Sequence, residues 1–399
     1  MLARTHAFGR RRAVLLAAIL VALALSATAT AKGPQIEARS WALIDARSGD
    51  VLVSHAARRH LPIASTTKLM TAYVVLHELP LDRVVHAAPY EAEYGESLLG
   101  LRPGQRISVR DLLYGLILRS GNDAAYDLAL AAAGSEQRFV VEMNRYAAAL
   151  GLADTHYANP IGLDQRGNYS SAADLATLTR HLLAIPAFAK IADSRSAVLR
   201  SVHPRRRITT INELLRMAPW VTGVKTGHTF GALYVLVGSG QRKGVDLISV
   251  AVGAPTDEDR FNDNIDLLDY GFSLYRRRVP VKAGAALAEP TIRYSGGELP
   301  LRAGRTAAVG VRRGQRMSVV VETPSEVEGP IKHGEPVGHA RVYVGGRRVA
   351  SVPLRAAYAV AEAGLLERAG SFLDDEKIPV AIALCVILLG AVLLRRFSR

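Results

Sequence analysis

The chain has 399 residues, 50 Lys and Arg against 36 Asp and Glu, and a single cysteine, Cys385. Apolar residues at 49% and charged residues at 22% are ordinary globular composition, which excludes a disordered or collagen-like chain and leaves length for two domains with accessory segments. One cysteine excludes an internal disulfide framework and any multi-cysteine zinc or redox centre; seven arginines of the +14 excess lie in terminal segments, so no nucleic-acid partner is expected.

Arginines through Arg12, an apolar run from Ala13 to Leu25 and the small-residue site Ala29-Thr30-Ala31 read as a signal peptide over residues 1–31. A hairpin is expected from Ser40 to Ser54, turning at Arg47 to Asp50. Pro62 leads to a helix from about Ser65 to Leu79. Ser108 with Asp111 caps the next helix, whose Leu112, Leu113, Leu116 and Ile117 share a face. That helix stops at Ser120-Gly121-Asn122, and alanine-rich helices run on to Leu150 with Gly151 as the stop. A polar loop through Asn159-Pro160 and Gly167-Asn168 precedes a helix capped by Ser171 with Asp174. Strands follow at Val221–Lys225, Ala232–Gly238 and Val245–Val252, then a helix from about Arg260 to Tyr275. This order predicts an α+β domain over 36–275, its antiparallel sheet uniting both ends and covered by helices. Alternating segments and a Gly345-Gly346 turn make 276–357 a small all-β domain. A juxtamembrane linker is expected over 358–377. Seventeen uncharged residues from Ile378 to Leu394 span roughly 25 Å as a helix, a transmembrane anchor. Arg395, Arg396 and Arg399 put the tail 395–399 in the cytoplasm and the rest on the outer face, so the chain reads as exported and tethered by its tail.

Several catalytic patterns are absent from the sequence: G-x-S-x-G, H-E-x-x-H (His77-Glu78 lacks the second histidine), a phosphate loop and a dinucleotide fingerprint. Ser65-Thr66-Thr67-Lys68 remains. Residues three apart share a helix face, so Lys68 can reach Ser65, and a helix start offers free N–H groups to an oxyanion. Lysine serves as a base when burial and a nearby cation lower its pKa. With only eight lysines, chance gives about half of one such motif; alone it reads better as a helix cap followed by a solvated lysine. Ser120-Gly121-Asn122 at a helix junction can project a hydroxyl and an amide into a cleft, or be a simple turn. Lys225-Thr226-Gly227 is placed at a strand end, where a cation and a hydroxyl flank an edge able to pair with an extended peptide; Gly227 would leave room for it.

In this order the three triplets are the combination found in penicillin-binding proteins and class A β-lactamases. The sequence resembles low-molecular-mass penicillin-binding proteins, the serine D-alanyl-D-alanine carboxypeptidases of peptidase family S11. Ala64 to Thr71, Ser120 to Ala124, Gly162-Leu163-Asp164, Tyr169 to Ala172 and Lys225 to Thr229 carry the resemblance. It implies a β-lactamase/transpeptidase-like catalytic domain followed by the β domain and anchor. It also implies Ser65 as nucleophile, Lys68 as its base, and Ser120 and Asn122 in the proton network and on the substrate peptide. Lys225 and Thr226 would hold the terminal carboxylate or assist proton transfer, with Gly227 beside them. The N–H groups of Ser65 and His228 would form the oxyanion hole. Arg260 is a second carboxylate contact or a solvated arginine at a helix start. No cofactor or metal is expected. The expected partners are peptidoglycan stem peptides, with β-lactam antibiotics as inhibitors and the membrane through the C-terminal helix. Lys225 across the cleft is expected to repel Lys68 and, with burial, lower its pKa. Ile161 stands where some relatives have a polar residue or histidine. A β-lactamase shares the triplets, but no convincing E-x-x-x-N loop lies between Asn122 and Lys225. A transpeptidase or endopeptidase shares acyl-enzyme formation, and a non-catalytic peptidoglycan-binding scaffold is the rival of a different class.

Overall fold

The N-terminal hairpin forms one side of the main sheet. The computed structural model describes residues 33–365, 367 and 368. Strand β1 (Ser40–Asp45) pairs antiparallel with β2 (Val51–His55) on one side and with β5 (Val245–Ala254) on the other. β4 (Leu233–Arg242) then joins β5 to β3 (Val221–Thr229), giving the order β2-β1-β5-β4-β3 with β3 at the edge. β4 and β5 are near-continuous apolar runs because both faces are covered. Val235 and Val237 face the large core shared with the helices, while Leu236 between them packs with Phe261 of helix α7 (Asp257–Ser273).

Between the halves of the sheet lie the helices that carry the motifs. A 3₁₀ turn, Ala64–Thr67, opens directly into α1 (Lys68–Glu78), which is buried without interruption from Lys68 to Val75 and so is apolar all round apart from its functional groups. α2 (Val109–Leu118) and α5 (Ala172–Leu183) start at the expected caps, Ser108 accepting from Asp111 N–H and Ser171 from Asp174 N–H. α3 (Asn122–Ala133) and α4 (Glu136–Ala149) fill the alanine-rich stretch, whose small side chains allow close helix packing.

Three boundaries differ from expectation. The segment from Ser65 begins as a 3₁₀ turn, not an α-helix. β3 runs on to Thr229, so Lys225-Thr226-Gly227 is inside a strand. α7 begins at Asp257, three residues before Arg260, because Thr256 and Asp259 form a reciprocal capping box.

The β domain follows α7 without a linker through Tyr275–Val281, and its five-stranded sheet ends in the hairpin Pro336–Val344 and Arg347–Ala356. It grips the β1–β2 turn: Tyr275 O–H donates to Asp45 at 2.6 Å, Arg312 pairs with Asp50 at 3.2 Å, and Arg347 donates to the Ser48 carbonyl at 2.9 Å. The signal segment 1–31, half of the linker 358–377, the apolar stretch 378–394 and the tail 395–399 lie outside the described residues. Among the described residues no helix is long and apolar enough to cross a membrane.

Candidate active site

The 3₁₀ turn places Ser65 half-buried at the mouth of the site and turns Lys68, three residues on, into the protein interior, where it is fully buried. Ala64, just before Ser65, has φ +47°, a conformation costly for a residue with a side chain. Gly162 makes the turn's position possible: its Cα lies so close that an added Cβ would stand 2.0 Å from the Ala64 carbonyl oxygen, and its own φ is +92°.

Lys68 Nζ has three neighbours at hydrogen-bond distance: Ser65 Oγ at 2.9 Å, Asn122 Oδ1 at 2.6 Å and the Ile161 carbonyl at 2.5 Å. The last is presented by a loop folded around Asn159, whose side chain accepts from the N–H groups of Ile161 and Gly162 and donates to the Leu163 carbonyl. Ile161 therefore acts through its backbone, so its apolar side chain is no obstacle at this position. Asp164 ties the same loop to the end of β3, accepting from Thr229 Oγ1 at 2.7 Å and Gly231 N–H at 2.8 Å.

Ser120 sits in the left-handed region at φ +58°, a strained placement that turns its hydroxyl toward Lys225, and Asn122 begins α3. Both are buried. Lys225 Nζ donates to Ser120 Oγ at 2.9 Å and to the Thr226 carbonyl at 2.6 Å. The structure thus brings Ser65, Lys68 and Asn122 into one hydrogen-bonded group and Ser120 and Lys225 into a second. Gly227 departs from expectation: a Cβ there would meet Ile63 O, Ala64 Cβ and Ser65 N, each at 3.1 Å. Its missing side chain lets β3 lie against the backbone of the Ser65 turn, and is not open space for a peptide. His228 is exposed, its ring stacked on Tyr234 at 4.3 Å. Arg260 donates to the Gly227 carbonyl at 3.0 Å, pairs with Asp257 and lies over the Tyr234 and Phe261 rings. It is a largely buried brace of β3, not a solvated arginine.

Burial drives Lys68 from the ordinary 10.5 down to about 7, against the pull of the Glu96 and Asp123 carboxylates, which favour the charged form. The expected repulsion between the lysines falls on the other partner. Burial first, then the charges of Lys68 and Arg260, push Lys225 well below its usual range. Two buried ammonium groups this near one another do not both stay charged.

Residues 88–105 carry no motif that the sequence reveals, yet they complete the site. Asp123 accepts from the N–H groups of Leu99, Gly100 and Leu101, and Asn122 N–H donates to the Ser97 carbonyl at 2.8 Å. Glu96 Oε2 accepts from Asn122 Nδ2 at 2.7 Å and from Tyr90 O–H at 2.6 Å. Burial acts to raise the Glu96 carboxyl, but these hydrogen bonds outweigh it and hold the group below its usual range. Among the described residues no cluster of His, Cys, Asp or Glu is arranged to hold a metal ion. The arrangement offers a hydroxyl, a buried amine able to be neutral at pH 7, and a second amine beside a second hydroxyl: the parts for acyl transfer through a serine ester.

Comparison with known proteins agrees with this geometry. A family model described as D-alanyl-D-alanine carboxypeptidase matches residues 27–256, and one described as penicillin-binding protein 5, C-terminal domain, matches residues 275–362. The chain is 34% identical over 366 residues to D-alanyl-D-alanine carboxypeptidase DacC of Escherichia coli (strain K12), covering 88% of this chain and 90% of that one. It is 30% identical over 340 residues to DacF of Bacillus subtilis (strain 168), covering 83% and 87%. Among solved structures, penicillin binding protein 5 from Haemophilus influenzae superposes with a TM-score of 0.58 at 29% identity, covering 83% of this chain and 99% of that one.

Proposed function

The chain belongs to the D-alanyl-D-alanine carboxypeptidase family, with the penicillin-binding, transpeptidase-like α+β fold and a C-terminal β domain, and we propose that Ser65 and Lys68 perform its acyl transfer. It is a serine-type hydrolase of cell-wall metabolism. The observation that carries the residue assignment is the trio of contacts around Lys68. As a neutral amine Lys68 has two N–H groups and one lone pair. Asn122 Oδ1 and the Ile161 carbonyl only accept, so they take both N–H groups and leave the lone pair for the Ser65 hydroxyl.

The reaction then runs as follows. Ser65 Oγ attacks the carbonyl carbon between the two terminal D-alanines while its proton passes to Lys68. The oxyanion is held by the backbone N–H groups of Ser65 and His228, whose strands and turn meet at Gly227. The C–N bond breaks, the proton taken up by Lys68 goes to the leaving amine, and D-alanine departs with Lys68 again a free amine. Water then attacks the ester carbonyl, Lys68 taking its proton and returning it to Ser65 Oγ as the ester C–O bond breaks. Lys225 and Thr226 lie on the edge strand β3, and Arg260 reaches the same strand from α7 at the Gly227 carbonyl; together they supply the donors and the guanidinium charge that suit a free terminal carboxylate, which an internal peptide lacks. A β-lactam reacts by the same attack and leaves a slowly hydrolysed adduct. The test is release of D-alanine from a stem pentapeptide, which Ser65→Ala abolishes if the assignment holds.

The export segment and the apolar stretch from Ile378 to Leu394 support a protein working on the outer face of the membrane, tethered at its C-terminus. Truncation before Ile378 then yields protein that washes free of membranes and keeps its activity; persistent membrane retention contradicts the tether.

A further inference from the structure

The Asn122 amide has two ends of nearly the same shape, one that accepts and one that donates, so its orientation has to be imposed from outside. In the site its oxygen faces Lys68 at 2.6 Å and its nitrogen faces Glu96 Oε2 at 2.7 Å. A carboxylate only accepts, so Glu96 admits the nitrogen and rejects the oxygen. Glu96 is in turn held from its other sides, by Tyr90 O–H on Oε2 at 2.6 Å and by Glu93 N–H on Oε1 at 3.1 Å. Its loop is bound to the first turn of α3 through Ser97 and through the Asp123 side chain.

We propose that Glu96 is a positioning residue for acylation, holding the Asn122 amide with its oxygen toward Lys68 so that the Lys68 lone pair is kept for Ser65. With the amide reversed, an N–H of Asn122 would point at Lys68 and compete with the Ser65 hydroxyl for that lone pair. This rests on the reading of Ser65 as nucleophile and Lys68 as base.

Glu96 also acts through charge. The charged groups facing Lys68 are the carboxylates of Glu96 and Asp123 and the amine of Lys225; those facing Glu96 are Lys68 and, through its hydroxyl, Tyr90. The Glu96 charge favours protonated Lys68, so its removal moves the acid limb of the acylation–pH profile to lower pH.

The experiment is acylation of the full chain by a fluorescent penicillin across pH, in wild type, Glu96→Ala, Glu96→Gln and Lys68→Arg. Glu96→Ala is expected to lose at least about tenfold in rate on the plateau while its acid limb moves to lower pH. Glu96→Gln, which keeps the shape and loses the charge, moves the limb in the same direction, and it decides alone if Glu96→Ala does not fold. A lowered rate with an unmoved limb makes Glu96 merely structural and overturns the proposal. So does a moved limb with a plateau rate within about twofold of wild type in Glu96→Ala. Near-normal acylation by Lys68→Arg would bring down the catalytic reading itself; an inactive Lys68→Arg beside a wild-type-like Glu96→Ala brings down this inference alone.

Discussion

Acylation by this protein should depend on pH through one buried amine. Lys68 is fully buried, and burial lowers it from 10.5 to about 7. At pH 7 roughly half of it is then free amine, against about one part in three thousand for a lysine at its ordinary value. That gain of about a thousandfold or more in competent base is what the interior position supplies to the reaction. The sign follows from chemistry: a protonated amine has no lone pair, so acid inactivates. Stopped-flow acylation with a fluorescent penicillin from pH 5 to 10 should therefore rise about tenfold per pH unit up to about 7 and flatten above it. Lys68→Arg tests the same point by substitution. Guanidinium stays charged throughout this range, and its planar fork cannot converge on the three neighbours that one ammonium nitrogen reaches, so the rate should fall at least about a thousandfold. A profile that is flat to pH 5, one that climbs only toward pH 10, or near-normal acylation by a folded Lys68→Arg would refute the assignment of Lys68 as base.

Two further predictions concern the scaffold. Gly162→Ala puts a Cβ 2.0 Å from the Ala64 carbonyl oxygen at a φ of +92°, so it should cost about 1–3 kcal/mol and slow acylation by shifting the neighbouring Ile161 carbonyl; an unchanged melting temperature and rate would contradict the close packing of this loop on the Ser65 turn. Asp127 is raised by burial from 3.8 to about 6, with Oδ2 lacking a partner while Oδ1 accepts from Ala88 N–H. The folded protein holds a proton there that the unfolded chain releases, so stability falls as pH rises from about 4 to about 6. Asp127→Asn should melt higher than wild type at pH 7, with the difference gone by about pH 4; equal melting at both would show that the carboxyl is not destabilising.

What could be read in advance was what local geometry dictates. Ser65 and Lys68 sit three apart, a spacing that puts both on one face of a helical turn and permits the contact found at 2.9 Å. The caps at Ser108 and Ser171 work within one turn, and both are seen. The N-terminal hairpin and the three later strands combine into one antiparallel sheet as alternation and order required. The rest depends on contacts that leave no pattern in the chain. A backbone carbonyl such as that of Ile161 has no side-chain signature, yet it takes one of the Lys68 protons. Glu96 and Tyr90 stand in an aperiodic loop, and only folding brings them to Asn122. Gly227 looks like a strand terminator, whereas β3 passes through it because the Ile63–Ser65 backbone needs the space. α7 starts earlier than its apolar pattern suggests because its first turn, Asp257-Glu258-Asp259, is wholly acidic and shows no apolar periodicity. The sequence points to burial and to repulsion from Lys225 together as lowering the pKa of Lys68; that burial leads and the repulsion falls on Lys225 is a tertiary property.

The central claim is that Ser65 is the acylated nucleophile, and mapping the penicillin adduct tests it most directly. The full chain is incubated with a β-lactam, digested, and its modified peptide sequenced by mass spectrometry. The account predicts a single adduct on the peptide holding Ser65-Thr66-Thr67-Lys68, carried by Ser65 and absent from Ser65→Ala. An adduct on any other residue, Ser120 included, or one that persists in Ser65→Ala, would contradict it.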